Sequence, residues 1–115
     1  MAGEPSWFEV GVGDIERGRA FYGALFGWTF ATHPEGGSVI GTPGLPGGLH
    51  GGDPGATSMV FYAIDDMDAA LTKVAELGGA HIPIPEADGD AALGRFAICR
   101  DDQGSVFGLH QRPTA

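Results

Sequence analysis

Residues 7–14 read Trp7-Phe8-Glu9-Val10-Gly11-Val12-Gly13-Asp14, and the return of this phrase later in the chain decides the fold. Phe8, Val10 and Val12 alternate with smaller or polar residues, the period of a half-buried strand. Asp14 then stands where a helix N-cap belongs, its carboxylate placed to accept the free N–H groups of a first turn. Ile15, Gly18, Tyr22 and Leu25 follow on one helical stripe, with Phe21 and Phe26 beside it and Glu16, Arg17 and Arg19 on the other side. Gly27 supplies the left-handed stop.

Ser58 to Ile64 repeats the strand, with Val60, Tyr62 and Ile64 on one face, and Asp66 repeats the cap. Met67, Ala70, Leu71, Val74 and Leu77 form the second stripe, which Gly78-Gly79 ends. Asp66 lies 52 positions after Asp14, and Gly79 lies 52 after Gly27. Strand, cap, stripe and stop in one register indicate a duplicated unit.

Short strands are expected after each helix. Trp28–Thr32 and Ser38–Gly41 follow the first, and Ala80–Ile84, Gly94–Arg100 and Ser105–His110 the second, with Asp101-Asp102-Gln103-Gly104 as a hairpin turn. Gly41–Thr57, dense in glycine and proline, reads as a thin last strand plus a linker. Pro85–Ala92 is an acidic, turn-rich loop suited to lie over a cleft. The order strand, helix, antiparallel strands implies an α+β domain over residues 1–115, with module one at about 7–50 and module two at about 58–110. Helices would cover one face of a curved sheet, over Phe8, Val10, Val12, Val60, Tyr62 and Ile64. Trp7, Glu9, Gly11, Met59, Phe61 and Ala63 would point to the opposite face, whose bulky apolar character suits a ligand cavity.

Composition narrows the partners. The 115 residues carry six Lys and Arg against 15 Asp and Glu, a net charge of −9, which argues against nucleic acid and against anionic lipid. No apolar run approaches the roughly 20 residues of a membrane span. Met1-Ala2-Gly3-Glu4-Pro5 has neither the basic nor the apolar region of a secretion signal, and a single cysteine, Cys99, fits a reducing compartment, so a cytoplasmic protein is expected.

Trp7-Phe8-Glu9-Val10, Asp14-Ile15-Glu16-Arg17, Ala20-Phe21-Tyr22 and Phe26-Gly27-Trp28 resemble the opening of the glyoxalase-related branch of the vicinal oxygen chelate superfamily, which also holds the bleomycin-resistance proteins and certain dioxygenases. Ile64-Asp65-Asp66-Met67, Leu77-Gly78-Gly79, Gly94-Arg95-Phe96-Ala97 and Phe107-Gly108-Leu109 continue the resemblance to about residue 110. It implies two βαβββ modules, a curved mixed sheet with helices outside, and a cupped ligand face. Metal-using members hold their ion with His, Gln or Glu at fixed strand positions. Those positions fall here at Trp7, Met59 and Gly108, with a fourth in the glycine-rich stretch near His50, so no metal and no cofactor are expected.

The candidate site residues follow from the inferred faces. Glu9 is a candidate general base beside Trp7, or else a solvated residue at a cavity rim. Trp7, Met59 and Phe61 either stack on a ligand or form plain core. Arg95, inferred on the face of Cys99, either clamps an anion or forms a surface salt bridge, and Cys99 is read as an inert core thiol. His50 and His110 are further candidate ligand-binding residues, able with Glu9 to form a different metal set if they converge. The expected function is metal-independent binding of a small molecule, an antibiotic or metabolite. The alternative is a lyase, isomerase or related enzyme using Glu9 or that histidine set. A homodimer is expected, because exposed Trp7, Met59 and Phe61 would favour pairing and the Gly41–Thr57 linker permits modules to pair within or between chains.

Overall fold

The computed structural model describes residues 3–33, 36–83 and 92–113. It is an α+β protein of two compact units, Trp7–Met59 and Val60–Ala115, with Met1–Ser6 belonging to the latter. Its elements are β1 (Pro5–Gly11), α1 (Ile15–Phe26), β2 (Thr29–Thr32), β3 (Ser38–Gly41), β4 (Gly47–His50), β5 (Met59–Ala63), α2 (Met67–Glu76), β6 (Ala80–Ile82), β7 (Arg95–Arg100) and β8 (Val106–Gln111).

In the Trp7–Met59 unit the strands run in the order β2-β3-β4-β1. β2, β3 and β4 pair antiparallel, while β4 returns parallel to β1, a connection that α1 makes possible by carrying the chain across. Asp14 caps α1 by accepting from the Arg17 N–H at 3.2 Å. Gly27 ends the helix at φ 74°, a conformation that costs a residue with a Cβ but not glycine. Val10, Ile40 and Leu49 form the core, with Phe8, Val12, Ile15, Tyr22, Trp28 and Phe30 packed against it. Gly18 lets α1 approach closely, since a Cβ there would lie 3.0 Å from Val12.

The other unit repeats the plan in the order β5-β8-β7-β6, with β5 and β8 parallel and the other pairs antiparallel. Asp66 caps α2 through the Ala69 N–H at 3.1 Å, and the Gln111 side-chain carbonyl accepts from the Met67 N–H at 2.7 Å. Met67, Ala97, Cys99 and Leu109 form its core, with Ile64, Ala70, Leu71, Val74 and Phe107 against it. The Asp101 turn is held by the N–H groups of Gln103 and Ser105, both 2.9 Å from one carboxylate oxygen.

Several expectations are corrected. Leu25 does not complete the buried stripe of α1: it is 59% exposed, and Phe21 and Phe26 are also mostly exposed. Trp28, just beyond the helix, takes the core position instead, stacked on Tyr22 at 5.5 Å and tilted against Phe26 at 4.8 Å. Leu77 is the C-cap of α2 and exposed, not the last member of its stripe. Of Val60, Tyr62 and Ile64, only Ile64 packs in the α2 core, and the other two are exposed. Trp7 and Phe61 are buried within the single chain, which removes the exposure argument for pairing. The Pro85–Ala92 loop lies outside the described residues, apart from Ala92.

The glycine-rich stretch holds the thin last strand expected of it: β4, Gly47-Gly48-Leu49-His50, is four residues long and paired on both sides, an interior position that the sequence does not indicate. Its glycines lie where side chains of β1 need the room: a Cβ on Gly47 would meet the Phe8 ring at 2.6 Å. Truncating fully buried Leu49 to alanine should therefore cost about 2–5 kcal/mol in urea unfolding. Leu25→Ala, on the exposed side of α1, should stay within about 0.5 kcal/mol.

Candidate functional site

The parallel seam between β1 and β4 sets Phe8 opposite Gly47, Glu9 opposite Gly48, Val10 opposite Leu49 and Gly11 opposite His50. Alternation sends Phe8, Val10 and Leu49 to the helix side, where they join the core, and sends Glu9 and His50 to the other face. Glu9 lies across Gly48, in space that a Cβ on that glycine would occupy. His50 lies across Gly11, where a Cβ would meet its Nε2 at 2.6 Å and the Asp53 carboxylate at 2.9 Å. Two small residues thus make room for one carboxylate and one imidazole.

A continuous polar line results. The Trp7 indole N–H donates to Glu9 Oε1 at 3.1 Å, and His50 Nδ1 lies 2.8 Å from Glu9 Oε2. His50 Nε2 lies 3.0 Å from Asp53 Oδ2. Exposure rises outward, from buried Trp7 through a Glu9 side chain 26% exposed and a His50 side chain 42% exposed to Asp53 at 54%. Partial burial of His50 works against its charge, but the hydrogen bonds to Asp53 and Glu9 and their negative charges outweigh it, raising the imidazole above the ordinary histidine pKa.

The second unit has the same seam with different chemistry. Phe61 lies opposite Gly108, and Ala63 opposite His110. The Phe61 ring covers Gly108 as Glu9 covers Gly48. Phe61 meets Phe96 edge to face at 5.5 Å, and Phe96 stacks on His110 at 4.5 Å. His110 Nε2 lies 2.8 Å from the Leu93 carbonyl, which can only accept, so this nitrogen carries the proton and Nδ1 accepts from the Ser6 hydroxyl at 2.8 Å. Burial lowers the His110 pKa below the ordinary value, with the Arg112 charge adding to it, and outweighs the Leu93 hydrogen bond.

The sequence candidates separate accordingly. Trp7, Glu9 and His50 come together in one network. Met59 is half-buried at the start of β5, and Phe61 and His110 line the aromatic seam of the second unit. Arg95 does share a face with Cys99, but it is the α2 side, where its guanidinium lies 3.5 Å from Asp68, so the surface ion pair describes it and the ligand clamp does not. Cys99 is fully buried, and burial pushes its thiol pKa up, which favours the neutral thiol. Asp53 and Ser6 were missed by sequence reasoning. Asp53 follows His50 by three residues in a stretch read as linker, and Ser6 lies 104 residues from the histidine it meets.

Residues 6–40 match the family described as bleomycin resistance protein-like N-terminal. A Mycobacterium tuberculosis protein named as a glyoxylase, CFP32, is 31% identical over 95% of this chain and 46% of its own length. The anthracycline biosynthesis protein DnrV of Streptomyces peucetius is 30% identical over 96% of this chain and 47% of its own length. The chain thus spans slightly under half the length of these curated relatives. The crystal structure of methylmalonyl-CoA epimerase from Mycobacterium tuberculosis matches with a TM-score of 0.68 at 14% identity, covering 97% of this chain and 89% of that one, a likeness of fold. The N-terminal match, these relatives and the shared fold together support the resemblance of this chain to the vicinal oxygen chelate (glyoxalase/bleomycin-resistance) superfamily.

Metal-using members of that superfamily hold a divalent ion, and the residues here do not fit one. Trp7, Met59 and Gly108 offer an indole, a thioether and no side chain. The register makes Gly48 the counterpart of Gly108 in the first unit, which assigns the fourth position to another glycine. Both glycine positions are filled by a neighbour, Glu9 in one unit and Phe61 in the other. Among the described residues, no group of three or more His, Cys, Asp or Glu is arranged to hold a metal ion. His110 turns its two ring nitrogens to Ser6 and Leu93 within its own unit.

Gly48→Ala tests the seam directly. The added methyl must displace Glu9 and break its bonds to Trp7 and His50. The variant should lose about 1–3 kcal/mol of stability, and the Trp7 indole N–H resonance should shift while that of Trp28 stays in place.

Proposed function

We propose that this protein binds a small organic molecule without a metal ion, with Trp7, Glu9 and His50 as its contact residues. One observation carries the proposal: the glycine positions at which metal-using relatives would carry a ligand are covered by a carboxylate and by a phenyl ring from the adjacent strand. An aromatic side chain beside polar groups of fixed orientation suits recognition of an organic ligand. The bleomycin resistance-like match and the likeness to an anthracycline biosynthesis protein support an antibiotic or a related metabolite as that molecule, held by sequestration.

A second reading, acid–base catalysis by Glu9, has its own support in the 2.8 Å contact between Glu9 and His50. The engagement of both carboxylate oxygens, one by Trp7 and one by His50, favours a fixed binding group over a base that must turn a lone pair to its substrate. The proposal includes pairing of the chain as a homodimer, supported by the apolar surface of Phe21, Leu25 and Phe26 on α1.

Protein purified without chelator and dialysed should carry well under one Zn, Ni, Fe or Mn per chain, and a stoichiometric retained metal would overturn the metal-free reading. A ligand found in an unbiased screen should lose about 1–3 kcal/mol of affinity in Trp7→Ala. Affinity indifferent to Trp7, Glu9 and His50 alike would remove this site. Turnover of that ligand, abolished in Glu9→Gln, would select the enzyme. Light scattering at micromolar concentration should return twice the 11.8 kDa chain mass.

A further inference from the structure

His50 joins two carboxylates that belong to different segments: Glu9 from β1 and Asp53 from the turn after β4. Both are the charged groups that act on its imidazole, uncharged Gly11 lies across the seam from it, and the rest of the ring faces solvent at 42% exposure. The ionised carboxylates have no proton to give, so both contacts are hydrogen bonds only while both ring nitrogens carry protons. A neutral imidazole has one N–H and one lone pair. It can keep one carboxylate as an acceptor, and it must turn a lone pair toward the other.

The surroundings decide which contact survives. Glu9 is the more buried carboxylate, lies over Gly48 and accepts a second bond from Trp7. The Asp53 side chain is more than half exposed, so water replaces its bond to His50 at little cost. The backbone beneath is seated independently, by Asp53 N–H to the Val12 carbonyl at 2.8 Å and Gly52 N–H to the Gly13 carbonyl at 2.9 Å. Only the side chain is free to leave.

We propose that His50 is a proton-operated latch: the imidazolium clasps Asp53 to Glu9, and loss of its proton releases Asp53 while Nδ1–H stays on Glu9. The protonated cluster carries one net negative charge and the deprotonated cluster two, so the latch also sets the charge that the Trp7–Glu9 site presents. The imidazole is raised above its unfolded value, so the clasp is fully present below the ordinary histidine range and is lost as pH rises through the higher folded value. The latch rests on the geometry of one unit and stands or falls independently of any ligand.

Ring nitrogen and carbon NMR across a pH titration tests it on the intact chain, with His110 as the internal contrast. His50 should titrate above the ordinary histidine value and His110 below it. The neutral form of His50 should be the Nδ1–H tautomer, and the Asp53 carboxyl carbon should move with the His50 midpoint while the Asp53 backbone amide barely shifts. Asp53→Asn and Glu9→Gln should each lower that midpoint. A neutral Nε2–H tautomer, a midpoint at or below the ordinary value, or a midpoint unchanged by Asp53→Asn would each overturn the latch. The wild-type tautomer decides the question even if a variant fails to fold.

Discussion

Both units depend on a parallel seam between their first and last strands, in which a large side chain on one strand lies over a glycine on the other. Backbones in a sheet are about 4.8 Å apart, too close for two large groups to share one lateral position without leaning over each other's strand. Gly47 and Gly48 resolve this for Phe8 and Glu9, Gly11 for His50, and Gly108 for Phe61. With a Cβ at any of these glycines the neighbouring side chain must leave its position, and with it the core under α1, the polar line on the opposite face or, at Gly108, the aromatic seam of the second unit. The glycines are the condition for packing and for the site together.

The duplicated seam also shows how one architecture yields two local chemistries. His50 and His110 occupy corresponding positions on β4 and β8, opposite Gly11 and Ala63. Carboxylates beside one favour its charge, while burial of the other, with the Arg112 charge adding to it, favours the neutral ring against the pull of the Leu93 carbonyl. The same residue type therefore shifts in opposite directions, for reasons that lie in neighbours rather than in the strand. The Glu9 half is suited to polar recognition, and the Phe61 half is an aromatic stack.

The fold shared with methylmalonyl-CoA epimerase accounts for the strand order and the repeat, but not for the chemistry on the seam. The fold is compatible with donors on its first and last strands. This chain has glycines on the last strands and uses the space for side chains of the first. A carboxylate is still present in the first unit, but it comes from β1, and a histidine and an indole hydrogen-bond it where a metal-using site needs open coordination positions. The proposal of metal-free binding rests on that exchange.

The sequence by itself determined the duplication, the caps at Asp14 and Asp66, the stop at Gly27 and the facing of β1, because each rests on local periodicity or backbone conformation within a few residues. It also placed Trp7 and Glu9 together, since alternation alone brings them to one face. It misplaced Leu25, Val60 and Tyr62, whose periodicity marks a face without saying how far the opposing element covers it. Only the tertiary structure decided that Gly47–His50 is an interior strand, that His50 lies between Glu9 and Asp53, that Ser6 meets His110, and that Arg95 points to α2. The physical reason is separation along the chain: Gly48 and Glu9 lie 39 residues apart, His50 and Glu9 41, Ser6 and His110 104, and Arg95 and Asp68 27, distances that no local pattern spans, and a glycine read from sequence as a break is here required by a large side chain on a neighbouring strand.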